Sequence, residues 1–92
     1  MDIELLAFPQ RVIASARIGI RPDRDSVLDA LARIERASVK LPANSGGAYQ
    51  LDGARSVLTM LKLGHMPHRE DCIAAVIILG DLMRECSAAE QA

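Results

Sequence analysis

Tryptophan is absent from this 92-residue chain, and Phe8 and Tyr49 are its only aromatic residues. β-Sandwiches and barrels lean on aromatic and β-branched cross-strand pairs, so their scarcity turns the expectation toward packed helices. Cysteine is scarce too. Cys72 and Cys86 stand fourteen residues apart, about 21 Å along a single helix and too far for a bridge within it. The two read as buried thiols of a reducing cytoplasm. Missing as well is any excess of charge. A net charge of −1 leaves no global field to draw in nucleic acid or an anionic membrane. No apolar run is long enough to cross a bilayer, and "MDIELLAFPQ" carries acid where a secretory signal carries base. A cytosolic protein without membrane association is expected.

What the chain does have is aliphatic residues. Half of it is hydrophobic, so the core must be built from Leu, Ile, Val, Ala and Met. A chain of this length makes one domain, residues 1–92, and hides roughly 60–65% of the surface its unfolded form exposes. So much apolar content in so small a volume implies surface shared with another chain. The expected fold is all-α, a compact bundle of three to four helices, assembled as a homodimer.

Pro22, Pro42 and Pro67, with Gly46, Gly47 and Gly64, divide the chain into four helical segments. In the first, Leu6, Ile13 and Ile20 recur every seven residues beside Leu5 and Val12. Asp2 is placed to cap it, Pro9 to kink it or to mark its true start, and Gly19 and Pro22 to end it. The second, between Pro22 and Pro42, alternates Val27, Leu31, Ile34, Ser38 and Leu41 with Asp29, Arg33 and Arg36 as an amphipathic helix. "PANSGGAYQLDG", residues 42–53, reads as a loop. Ala54, Val57, Leu58 and Leu61 form a short third helix that Gly64 closes. "SVLDAL" and "SVLTML", thirty residues apart, read as coincidence rather than as a repeat.

The fourth segment contains "CIAAVIIL", residues 72–79. Pro67, Glu70 and Asp71 are helix-starting residues, and Leu82, Met83 and Cys86 continue the spacing of Cys72, Val76 and Leu79, so the run is a helix and not a strand. Its core face holds Cys72, Ala75, Val76, Leu79, Leu82, Met83 and Cys86. Ile77 falls on the opposite side between Asp81 and Arg84, with Ile73 and Gly80 on the adjoining strip. Either the other segments surround this helix or its back is a second contact surface. With only three other segments, one of them short, the second arrangement is expected: Ile73 and Ile77 as apolar anchors, Gly80 admitting a close approach, and Asp81 and Arg84 at the rim.

"HMPHREDC" places His65, His68, Asp71 and Cys72 together, with His68 and Cys72 one turn apart. Cys72, however, opens the apolar face and His65 precedes Pro67, so two surface histidines are expected, with no metal and no cofactor. "NSGG" lacks the Lys-Ser or Lys-Thr of a phosphate loop, Ser45 has no base in its sequence context, and Tyr49 reads as a lid over the core. No catalytic residue and no small-molecule substrate emerge, so an enzyme is not expected. Between residues 11 and 24, Arg11, Arg17, Arg21 and Arg24 face only Asp23. The competing expectation is therefore a small DNA-binding transcriptional regulator using that segment, with residues 24 to 36 as recognition helix. Asp25, Asp29 and Glu35 would then meet the phosphates, which weighs against it. The function expected is a cytosolic protein–protein interaction module, of the kind formed by small adaptors, antagonists or chaperones of larger bacterial regulators, that docks a helix face onto itself or a partner.

Overall fold

A computed structural model describes residues 2–41 and 46–91, and within them every regular element is a helix. The four are α1 (Glu4–Arg17), α2 (Arg24–Lys40), α3 (Gly46–Lys62) and α4 (Arg69–Gln91). Each end has a local cause. The Asp2 carboxylate accepts the Glu4 N–H at 3.0 Å, so α1 begins well before Pro9 and carries that proline buried inside it. Asp23 caps α2 by accepting the Ser26 N–H at 3.1 Å and the Ser26 hydroxyl at 2.7 Å. Those two bonds hold the Asp23 carboxyl below the usual carboxylate range.

α1 and α3 end alike. Gly19 and Gly64 both take a positive φ, of 85° and 87°. After Gly19 the Ile20 N–H turns back to the Ser15 carbonyl at 3.0 Å, and after Gly64 the His65 N–H turns back to the Met60 carbonyl at 2.9 Å. Glycine tolerates this left-handed position, and the returning N–H satisfies a carbonyl the helix end would leave bare. Ile20 therefore lies beyond α1 and is exposed, although heptad spacing places it on the core stripe.

Residues 46–53, expected as part of a loop, are the first two turns of α3. The rest of that stretch, 42–45, lies outside the described residues. Glycine suggests a loop at position 47, yet its role is proximity: a Cβ there would come within 3.3 Å of the Leu41 side chain and 3.4 Å of Leu82.

The four helices are two copies of one plan. Moving forty-five residues along the sequence carries α1 onto α3 and α2 onto α4. Leu6, Pro9, Val12, Ile13 and Ala16 become Leu51, Ala54, Val57, Leu58 and Leu61, and every one of these is buried. Val27, Ala30, Ile34 and Ala37 become Cys72, Ala75, Leu79 and Leu82, again all buried. The connections also correspond, with "RIGIRPDRD" at 17–25 matching "KLGHMPHRE" at 62–70. The helix neighbours follow the same symmetry. α1 and α3 each touch both α2 and α4, while α2 and α4 do not touch one another. "SVLDAL" and "SVLTML" sit in α2 and α3, which are not equivalent, so their likeness is coincidental as expected.

The resulting core is aliphatic throughout, and among the described residues no polar or charged residue is buried. The radius of gyration, 12.4 Å, matches the roughly 12 Å of a compact single domain of this length. One chain thus closes its own core. Leu79→Ala and its counterpart Ile34→Ala should each destabilise the protein by about 2–5 kcal/mol. Because both hairpins contribute to one core, chemical denaturation of either variant should remain a single transition by helical circular dichroism. Two separate transitions would mean that the hairpins are independent.

Candidate protein-interaction groove

α4 is not surrounded. With α1 on one side and α3 on the other, its back is open, and Ile77 on that ridge is 57% exposed. Beside the ridge runs a groove of about 290 Å³ between α3 and α4. α3 lines it with Gly53, Ser56, Val57 and Met60, and α4 with Asp71, Ala74, Ala75 and Ile78. Ala74, three residues before Ile77 and exposed, joins groove and ridge into one continuous surface. Its only charged lining residue is Asp71, which makes no hydrogen bond or ion pair with any described residue.

The equivalent surface of the first hairpin is built differently. Phe8 stands where α3 has Gly53, half-buried against the core. The Arg33 guanidinium lies over its ring at 4.4 Å and that of Arg11 at 5.8 Å. Arg33 Nε donates to Asp29 at 3.1 Å, and Arg11 pairs with Glu4 at 3.2 Å. One aromatic ring and four charges therefore cover that part of the α1–α2 face. In the second hairpin the positions of Arg11, Asp29 and Arg33 are held by Ser56, Ala74 and Ile78.

The structure separates the residues expected at the contact surface. Ile77 is exposed on the ridge, Ile73 is half-buried beside it, and Asp81 and Arg84 form an ion pair with each other. Gly80 lies on the flank facing α1. The group that approaches it closely belongs to this chain: Gln10 Nε2 would stand 3.3 Å from a Cβ there, and it donates to the Val76 carbonyl at 3.0 Å. Groove residues Gly53, Ser56, Met60 and Ala74 escaped notice in the sequence because each is unremarkable alone. A comparison at a spacing of forty-five residues is the signal that would have found them. Tyr49, expected as a lid, is an exposed residue of α3, and Ser45 lies outside the described residues.

The four arginines of the basic segment do not share a surface. Arg11 is engaged with Glu4 and Phe8, and Arg21 donates to the Gly64 carbonyl at 2.8 Å, tying the two helix-ending loops together. Arg17 and Arg24 are exposed and make no ion pair with described residues. The same end of the bundle also exposes Ile18, Ile20, Leu63 and Met66. His65 and His68 are exposed while Cys72 is buried, and among the described residues no three His, Cys, Asp or Glu side chains are grouped to hold a metal ion. No described helix is long and apolar enough to cross a membrane. A second hollow, of about 420 Å³, lies on the first hairpin and is lined by Asp2, Leu5, Arg36, Val39 and Lys40, three of them charged.

Burial pushes the Cys72 thiol above its ordinary 9.0, and the neighbouring Asp71 carboxylate adds to the shift. The thiolate is the reactive form, so Cys72 should be inert in the folded protein. In a Cys86→Ser background, iodoacetamide should label it no faster than the protein unfolds. Its linkage to stability has a definite sign. The unfolded thiol ionises first, so stability is unaffected well below pH 9 and falls as pH rises beyond it. Cys72→Ala should remove that alkaline loss. Family models, curated proteins and solved structures were all compared with the chain, and none matches it.

Proposed function

We propose that the chain is a protein–protein interaction module that acts through the open face of its second hairpin, the α4 ridge and the adjoining α3–α4 groove. The supporting observation is the internal contrast. Two faces of one plan exist in one molecule, one covered at this position by Phe8 and its charges, the other open there, with Asp71 the one charged residue of the groove lining. Exposed apolar surface of this kind is costly in water unless something covers it part of the time, and a helix laid into a groove is a common cover. Ile77 and Ile73 are the anchors of the ridge, with Asp81 and Arg84 as its polar rim. The role is one of binding and not of catalysis, in a cytoplasm where the free thiols of Cys72 and Cys86 stay reduced. A homodimer would use the same face.

Ile77→Asp tests this role. The residue is more than half exposed and lies opposite the core, so the variant should keep its helical circular dichroism and remain monomeric. A charge in the middle of a desolvated contact costs roughly 3 kcal/mol, about a hundredfold in Kd. Two measurements read it: mass by light scattering, and binding of helical peptides selected on the wild-type protein from a displayed random library. A wild-type dimer that the substitution splits, or selected peptides that it rejects, supports the role. Neither dimer nor peptides would overturn it, as would an Ile77→Asp protein that unfolds because the ridge belongs to the core.

A further inference from the structure

We infer that the α3–α4 groove receives an aromatic side chain accompanied by a lysine or arginine, presented by a helix of a partner protein. This rests on the interaction role above and adds the chemistry of the occupant. The first hairpin shows what fills this position when the chain fills it itself. Phe8 packs against the core and the Arg33 guanidinium lies over the ring, 4.4 Å from its centroid. Forty-five residues on, Gly53 replaces the ring and Ile78 replaces the guanidinium, while α3 and α4 keep the same positions buried beneath. The ring's seat is therefore retained and the ring is missing. A Cβ built on Gly53 meets nothing within 4 Å. The 290 Å³ of the groove exceeds the cavity of about 150 Å³ known to hold benzene, so a ring and its attachment fit.

Charge decides what comes with the ring. In the first hairpin, Arg11 and Arg33 are balanced by Glu4 and Asp29. In the groove all four of these charges are gone, and Ser26 of the first copy has become Asp71, a carboxylate without a partner among the described residues. Farther along the same stripe of α4, Glu85 follows Ile78 at seven residues, while Asp81, at three, is paired with Arg84. Arg55 on α3 is drawn away to α2, where it pairs with Glu35 at 2.6 Å and donates to Ser38 Oγ at 2.8 Å. An aromatic anchor next to a cation meets both conditions, whereas an acidic segment would meet Asp71 with like charge.

The peptide selection described above tests this separately from the role itself. Its yield of peptides that shift the amide resonances of Gly53, Ser56, Ala74 and Ile78 reports on the role, and its consensus reports on the occupant. The expected consensus is Phe, Tyr or Trp with Lys or Arg three or four positions away, as Arg11 follows Phe8. Gly53→Phe, which supplies the ring from within the chain, should abolish binding of those peptides while helical circular dichroism is retained. Asp71→Asn, a surface change that leaves the core untouched, should weaken binding roughly two- to fivefold, with the loss disappearing at high salt. Groove-binding peptides with aliphatic anchors or acidic neighbours would overturn the inference and leave the interaction role standing. Peptides unaffected by both Gly53→Phe and Asp71→Asn would do the same. A wild-type dimer that Gly53→Phe dissociates would identify the occupant as a second copy and overturn it. No peptide that perturbs α3 or α4 would remove the role together with the inference.

Discussion

Aliphatic burial at matched depths in two hairpins is the constraint on which everything else in this protein depends. With no aromatic ring and no polar group fully buried among the described residues, the helices are held by side chains that attract without direction. Leu6 and Leu51, Ile13 and Leu58, and Ile34 and Leu79 are the largest of these and take equivalent places. Small residues at Ala16, Ala30, Ala37, Ala54 and Ala75 let the helices approach, and Gly47 brings α3 onto Leu41 and Leu82.

The helices could be read from the residues because their apolar spacing was strong and their end signals were local. Asp23 with Ser26, Gly64 and Pro67 mark boundaries through bonds made within a few residues. The readings that failed were those in which a distant neighbour decides. Gly47 resembles a turn residue until Leu82, thirty-five residues on, is seen to need the space. Ile20 keeps heptad time with Ile13, but Gly19 has already ended the helix. The exposed side of Ile77 follows from its angle to the core face of α4. The groove does not, since it is made by the absence of side chains at Gly53 and Ala74, and absence has no period. Gly80 illustrates the same limit, because its close neighbour is Gln10, seventy residues earlier.

The two faces also differ electrostatically in a way net charge conceals. The first hairpin concentrates ion pairs around Phe8, through Glu4, Arg11, Asp29 and Arg33, each exposed enough that solvent screens it. Those pairs add little to stability; their effect is to keep the outer surface of α1 and α2 wet. The second hairpin has given up that coat on the α3–α4 side while keeping it elsewhere, as in the Arg55 cluster with Glu35 and Asp52. Two faces of a molecule only about 20 Å thick thus carry different coats.

Three polar contacts between the hairpins have a further consequence. An aliphatic interface between parallel ridges is nearly indifferent to sliding: a shift of one turn, about 5.4 Å, replaces one set of leucine contacts with another. Arg21 on the Gly64 carbonyl, Gln10 on the Val76 carbonyl and Arg55 on Glu35 and Ser38 each join one hairpin to the other, at different heights along the bundle. No single slip of one hairpin against its mate preserves all three. They act as a vernier, selecting one axial setting of the two hairpins from several that greasy packing alone would accept.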